Sequence, residues 1–195
     1  MAKIIDTHSH ILPGIDDGAG SWKEALCMLK TAQAQGIRRV IATPHWGGPF
    51  GYTDPVQIRE LCFTLQEKAR RHNISVKIYQ GQEVMYTEEA ADRIANGEIL
   101  TLADSRYVLV EFRPGDNFIK LSRAVRELVS AGYLPIVAHI ERYDCLREKG
   151  RTAELIGLGA YLQMNAGSVL GGIFDKDARW CREEITNGRI HFIGT

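Results

Sequence analysis

At 195 residues, with 45% hydrophobic and 25% charged side chains, the chain has ordinary globular composition and enough length to bury a core as one domain, residues 1–195. Lys plus Arg and Asp plus Glu both number 24, so no global field favours nucleic acid or an anionic membrane. No run approaches the roughly 20 apolar residues of a membrane-spanning helix.

The amino-terminal residues Met1-Ala2-Lys3 lead straight into a strand, which leaves no room for a signal peptide. Cys27, Cys62, Cys145 and Cys181 are too scattered for a disulfide framework or a C-x-x-C zinc pair. A cytoplasmic protein is expected, and self-association stays open.

Along the chain, short β-branched runs alternate with amphipathic helical segments, and no Pro/Gly/Ser-rich linker interrupts them. That pattern predicts an α/β domain. The first strand, 3–8, carries Ile4 and Ile5 and ends at His8-Ser9-His10. Ser21 and Glu24 then form a capping box ahead of Ala25, Leu26, Leu29 and Ala32, and Gly36 stops that helix. A strand at 39–43 follows. Asp54-Pro55 opens a second helix striped by Ile58, Leu61, Leu65 and Ala69. Strands at 76–80 and 107–112 come next, then a helix from Asn117 to Gly132 striped by Leu121, Val125, Leu128 and Val129. Strands at 134–139, 161–165 and 191–194 complete the pattern. Most are apolar enough to be buried on both faces.

The polar residues fall at the carboxyl ends of these strands. In an extended segment, side chains at i and i+2 share a face, so His8 and His10 can hold one ion between them, with Asp16-Asp17-Gly18 close behind. His45 follows the second strand and Glu83 the third; Glu111 ends the fourth and His139 the fifth. In a parallel barrel that rim is where active sites are assembled. Glu111 interrupts an apolar strand, where an uncompensated charge is costly and a cation is the natural remedy. At least one of Glu83 and Glu111 is expected to bridge two ions.

Nitrogen and oxygen donors without thiolates suit Mn2+, Fe2+ or Zn2+, and so many donors imply two or three ions. Such a cluster activates water and clamps phosphoryl oxygens. Arg142, just beyond His139, offers a guanidinium fork for phosphate, with the Tyr143 ring as a wall for an aromatic substrate.

On His8-Ser9-His10 with Asp16-Asp17-Gly18, Thr43-Pro44-His45, Gly81-Gln82-Glu83, Asp104-Ser105-Arg106-Tyr107 running to Glu111, and Ala138-His139-Ile140-Glu141-Arg142-Tyr143, the chain resembles the polymerase-and-histidinol-phosphatase (PHP) superfamily. Within it, the resemblance is to bacterial manganese-dependent protein-tyrosine phosphatases of capsule and exopolysaccharide operons. It covers essentially the whole chain.

The resemblance implies a distorted seven-stranded (β/α) TIM-like barrel and a centre of two or three metal ions, most readily Mn2+. It implies metal roles for His8, His10, Asp17, His45, Glu83, Glu111 and His139, and catalytic roles for Arg142 and Asp17. The implied substrate is a phosphotyrosine protein, such as the tail of a capsule-synthesis tyrosine kinase. The family also has an Asp-x-His pair after the last strand, followed by closing helices, whereas this sequence stops at His191-Phe192-Ile193-Gly194-Thr195. An incomplete copy of a longer protein is the expected explanation; a form lacking those ligands would bind metal weakly.

Other chemistries fit less well. Cys145 and Arg151 have the C-x5-R spacing of thiolate phosphatases, but Asp144 would raise the thiol pKa and Glu148 would repel phosphate. A metal-dependent amidohydrolase would need a bridging lysine that is not apparent. Histidinol phosphatase shares the scaffold and is the main alternative. A polymerase proofreading module also shares it, but zero net charge argues against a nucleic-acid substrate. A degenerate, non-catalytic binding module requires that the two missing ligands be absent from the protein itself.

Overall fold

The computed structural model describes residues 4–172 and 174–194. It is an α/β fold whose strands pair in parallel, with most helices serving as crossovers between them. The chain divides into two compact units. One runs up to Met85 and takes in Asp92–Ser105; the other comprises Tyr86–Ala91 and the chain from Arg106 onward.

In the first unit, β1 (Ile4–Ser9), α1 (Trp22–Ala34), β2 (Ile37–Ala42), β3 (His45–Trp46), α2 (Pro55–Arg71), β4 (Lys77–Gln80) and β5 (Glu83–Met85) follow in order. The strands β1, β2 and β4 form one parallel sheet in that order, and β3 pairs with β5 through His45 and Glu83. Ser21 caps α1 by accepting from Glu24 N, while the Glu24 carboxylate reaches back to Gly20 N, one residue earlier than a capping box requires. Asp54 caps α2 by accepting from Val56 N, with Pro55 at its first position. Ala25 and Leu29 of α1 and Ile58, Leu65 and Ala69 of α2 share one core with Val40 and Ala42 of β2.

A short helix, α3 (Ala90–Ala95), comes next in sequence. The second unit then holds β6 (Tyr107–Glu111), α4 (Phe118–Ser130), β7 (Leu134–Val137), α5 (Arg151–Gly157), β8 (Tyr161–Asn165), α6 (Lys176–Thr186) and β9 (Phe192–Gly194). The strands β6, β7, β8 and β9 are parallel neighbours in that order. Asn117 caps α4 by accepting from Lys120 N. Leu121, Val125 and Leu128 are buried as expected, but Val129 is exposed because it lies one position past the edge of the buried face.

Each expected strand is found with its ends displaced by no more than two residues, apart from Lys3, which lies outside the described residues. Two short strands, β3 and β5, were hidden because two or three residues carry no readable period. Burial on both faces holds for most of β6, β7 and β8 but not for β4 or the start of β1, which flank β2 in the three-stranded sheet.

The segment after β1 folds back tightly on its own strand end. Gly14 N donates to Ala19 O at 2.8 Å and Ala19 N to His10 O at 3.0 Å, and Ile11 and Leu12 are driven into the core. Gly18 lies so close to His10 that a Cβ there would overlap the His10 carbonyl oxygen and its Cβ. Gly18→Ala should therefore destabilise the metal-free protein by about 1–3 kcal/mol through backbone displacement. Denaturant unfolding checks this; an unchanged midpoint would contradict the packing described.

Candidate metal centre

The β1 geometry brings two imidazoles together. His8 and His10 approach through their Nε2 atoms at 3.2 Å, as the alternation of an extended segment requires. Beyond its last residue β1 stays tied to β2: Thr43 N donates to Ser9 O and Ser9 N donates to Thr43 Oγ1, both at 2.9 Å. That pairing delivers Pro44 and His45, and Glu83 N closes the next step by donating to Pro44 O at 3.1 Å.

The result is a single carboxylate oxygen surrounded by three histidines. Glu83 Oε2 lies 3.1 Å from His8 Nε2, 3.1 Å from His10 Nε2 and 3.4 Å from His45 Nδ1, and Glu83 is 1% exposed. Donors about 2.1 Å from one ion stand roughly 3.0 Å apart at right angles and roughly 3.4 Å apart at the tetrahedral angle. The observed spacings are of that size, so the donor set fits a small divalent cation. His8, His10 and Glu83 form one group suited to an ion, and His10, Asp17 and His45 a second.

The two neighbouring acids have separate tasks. Asp16 is buried against His10: its Oδ2 is 2.8 Å from His10 Nδ1 and also accepts from His45 N, while its Oδ1 accepts from Gly18 N. A carboxylate on the second ring nitrogen fixes the ring and strengthens the first as a donor. Asp17 is open, its side chain 61% exposed, with Oδ1 at 3.4 Å from His45 Nε2. Burial opposes charge on His10, but hydrogen bonds to Asp16 and Glu83 outweigh it and push its pKa up to about 10. Burial likewise opposes charge on Asp16, and the contact with His10 outweighs it and lowers its pKa.

In the second unit, His139 Nε2 lies 3.5 Å from Glu111 Oε2. His139 has φ of +33°, rare for a residue with a side chain, and its backbone N donates to Gln163 Oε1 at 2.6 Å. Its Nδ1 is 3.2 Å from the Tyr143 hydroxyl, which accepts from Phe112 N. Tyr143 is 0% exposed, so the expectation of a substrate-facing wall there is overturned: the ring supports His139 from within the core. Arg142 is exposed, and its side chain has no hydrogen bond or ion pair among the described residues.

Asp16 and Gln163 are the supporting residues that the sequence reading missed. Gln163 could have been flagged, since it interrupts the apolar run of β8 as Glu111 interrupts that of β6. The C-x5-R segment has no catalytic geometry. Burial chiefly, with Asp116 and Asp144, raises the Cys145 pKa, and Arg151 is paired with Glu148 and Glu154.

The chain matches the family model described as capsular polysaccharide synthesis, CpsB/CapC, over residues 4–195, and it belongs to that family. It is 34% identical to the tyrosine-protein phosphatase YwqE of Bacillus subtilis (strain 168) over 195 residues, covering 98% of this chain and 76% of the relative. It is 35% identical to the tyrosine-protein phosphatase CpsB of Streptococcus pneumoniae over 167 residues, covering 85% of this chain and 69% of that one. Among solved structures, it superposes with a TM-score of 0.91 at 31% identity on one reported with crystal structures of YwqE and CpsB, "unique metal-dependent tyrosine phosphatases", covering 98% of this chain and 78% of that chain. The resemblance drawn from the motifs is thereby borne out. No helix among the described residues is long and apolar enough to cross a membrane.

The His10 pair sets a pH dependence for the metal-free protein. Because the folded pKa, about 10, lies above the ordinary histidine value of 6.5, its stabilisation is complete below about pH 6.5 and is lost as pH rises through about 10. Asp16 acts in the opposite sense: its contribution is present above the ordinary aspartate value of 3.8 and is lost as pH falls through its lowered folded value. The stability difference between wild type and His10→Asn, from melts of chelated protein, should therefore shrink steadily between pH 6.5 and 10. A difference constant over that range would refute the ion pair.

Proposed function

We propose that this chain is a metal-dependent phosphoric monoester hydrolase that removes phosphate from protein phosphotyrosine and thereby regulates capsular or extracellular polysaccharide synthesis. The observation that carries the reading is Glu83 Oε2 among three imidazole nitrogens at coordination-edge spacing. Its relatives named as tyrosine-protein phosphatases support the same chemistry. In this reading residues 1–195 act as one domain with the distorted seven-stranded barrel of the PHP type, in the cytoplasm.

His8, His10, Asp17, His45 and Glu83 of the first unit, and Glu111 and His139 of the second, would hold two or three ions, with Mn2+ the best match to these nitrogen and oxygen donors. Bound there, the ions would lower the pKa of a water towards neutrality and offset charge on the phosphoryl oxygens. Arg142 binds and orients the phosphate through its guanidinium fork, and its charge is most valuable where negative charge accumulates in the transition state. Asp16 holds the Nδ1 proton of His10, leaving Nε2 to serve as the donor. The leaving group, a phenol of pKa about 10, departs with less protonic help than an alkoxide needs. The substrate is a tyrosine-bearing protein tail, that of a capsule-synthesis kinase in the first instance.

Three variants separate this reading from thiol chemistry and from a small-metabolite phosphatase. Glu83→Gln should lose bound metal and activity together. Cys145→Ser should keep both, while a chelator abolishes wild-type turnover; chelator resistance with loss in the serine variant would reverse the assignment. Arg142→Ala should keep its metal and lose on the order of 100-fold in rate on a phosphotyrosine peptide, the scale of one anion-stabilising donor. Wild-type preference for histidinol phosphate over that peptide under the same metal conditions would move the protein to the alternative substrate.

A further inference from the structure

The loop after β3 reads Gly47-Gly48-Pro49-Phe50-Gly51-Tyr52. Gly47, Gly48 and Gly51 have φ of +88°, +65° and +74°, a region that side chains disfavour. Gly47 N donates to Gly51 O at 2.6 Å, and Trp46 and Tyr52 bridge in antiparallel fashion, so backbone geometry closes the loop.

The alternation of β3 sorts the rings that this loop returns. Trp46 is buried and meets Tyr52 at 4.8 Å between centroids. His45, whose side chain leaves the strand on the other face, meets Phe50 at 4.5 Å with the rings only 7° from parallel. His45 has His10 as a second ring neighbour at 4.6 Å. Phe50 remains 37% exposed and has no polar atom to gain from water.

We propose that Phe50 contacts substrate: its open surface receives the phenol ring of phosphotyrosine while the phosphate is held at the group formed by His10, Asp17 and His45. In an aryl phosphate one oxygen separates phosphorus from the ring. A wall stacked on an imidazole of that group lies within reach of such a ring, whereas the short alkyl chain of a serine phosphate offers no π face. Phe50 thus selects aryl over alkyl phosphomonoesters. This inference rests on the phosphotyrosine phosphatase reading above.

The test uses manganese-loaded protein and two non-hydrolysable inhibitors, phenylphosphonate and methylphosphonate, competing against a phosphotyrosine peptide. Wild type should bind the phenyl compound more tightly. Phe50→Leu, which keeps apolar bulk but removes the ring, should lose that margin by on the order of 3- to 10-fold, the worth of one ring pair. Phe50→Tyr should retain it, and both variants should keep wild-type metal content. If Phe50→Leu preserves the ratio of the two inhibition constants, or weakens both inhibitors equally with loss of metal, Phe50 only braces His45 and the inference fails. If wild type does not hydrolyse the phosphotyrosine peptide at all, the functional reading fails instead.

Discussion

The first unit is organised around one costly group, the carboxylate of Glu83. A buried, uncompensated carboxylate is worth several kcal/mol of instability, so its surroundings must supply donors or positive charge. Three imidazoles do so, and they arrive by two stretches of chain: β1 with its extension carries His8 and His10, and the Thr43-Pro44 step leads into β3, which carries His45 and pairs in register with β5. His10 faces carboxylates on both ring nitrogens, Asp16 at Nδ1 and Glu83 at Nε2. Only the doubly protonated ring donates to both, which is why its pKa stands so high in the metal-free protein.

The same arrangement accounts for how a cation can replace that proton. A divalent ion among His8, His10 and Glu83 would take over the positive charge that the imidazolium supplies, and Asp16 would keep the remaining Nδ1 proton in place. Metal uptake and proton release would then be one exchange, and positive charge would balance the Glu83 carboxylate in both states. The tight return of residues 11–18 belongs to this design, because it sets Asp16 beneath His10 and leaves Asp17 facing solvent.

Much of this was legible in the sequence, for identifiable reasons. Period-two alternation put His8 and His10 on one face, and the structure agrees because extended backbone allows little else. The caps at Ser21, Asp54 and Asn117 were readable because each depends on chemistry within three residues. The division of labour between Asp16 and Asp17 was not, since adjacent residues diverge according to a loop path fixed by Gly14, Gly18 and the burial of Ile11 and Leu12. The placing of Tyr143 failed for a similar reason. Tyr143 follows the turn Ile140–Arg142, and it is buried while the adjacent Arg142 is exposed, a difference that no periodic pattern in the sequence signals.

The second unit applies the same economy to a strained position. A left-handed backbone at His139 costs on the order of 1–3 kcal/mol and persists only where neighbours over-determine it. Here the restraints are specific: the Gln163 side chain takes the His139 N–H, and the Tyr143 hydroxyl meets Nδ1 while anchored by Phe112 N. The close approach of Gly194 to the Gln163 amide shows that β9 is shaped to leave room for it. With Nδ1 facing the Tyr143 hydroxyl, the ring presents Nε2 towards Glu111, so the restraints on one strained residue fix the direction of its ring. Arg142, carried by the same turn, lies at the surface while its neighbours Ile140 and Tyr143 are packed inside.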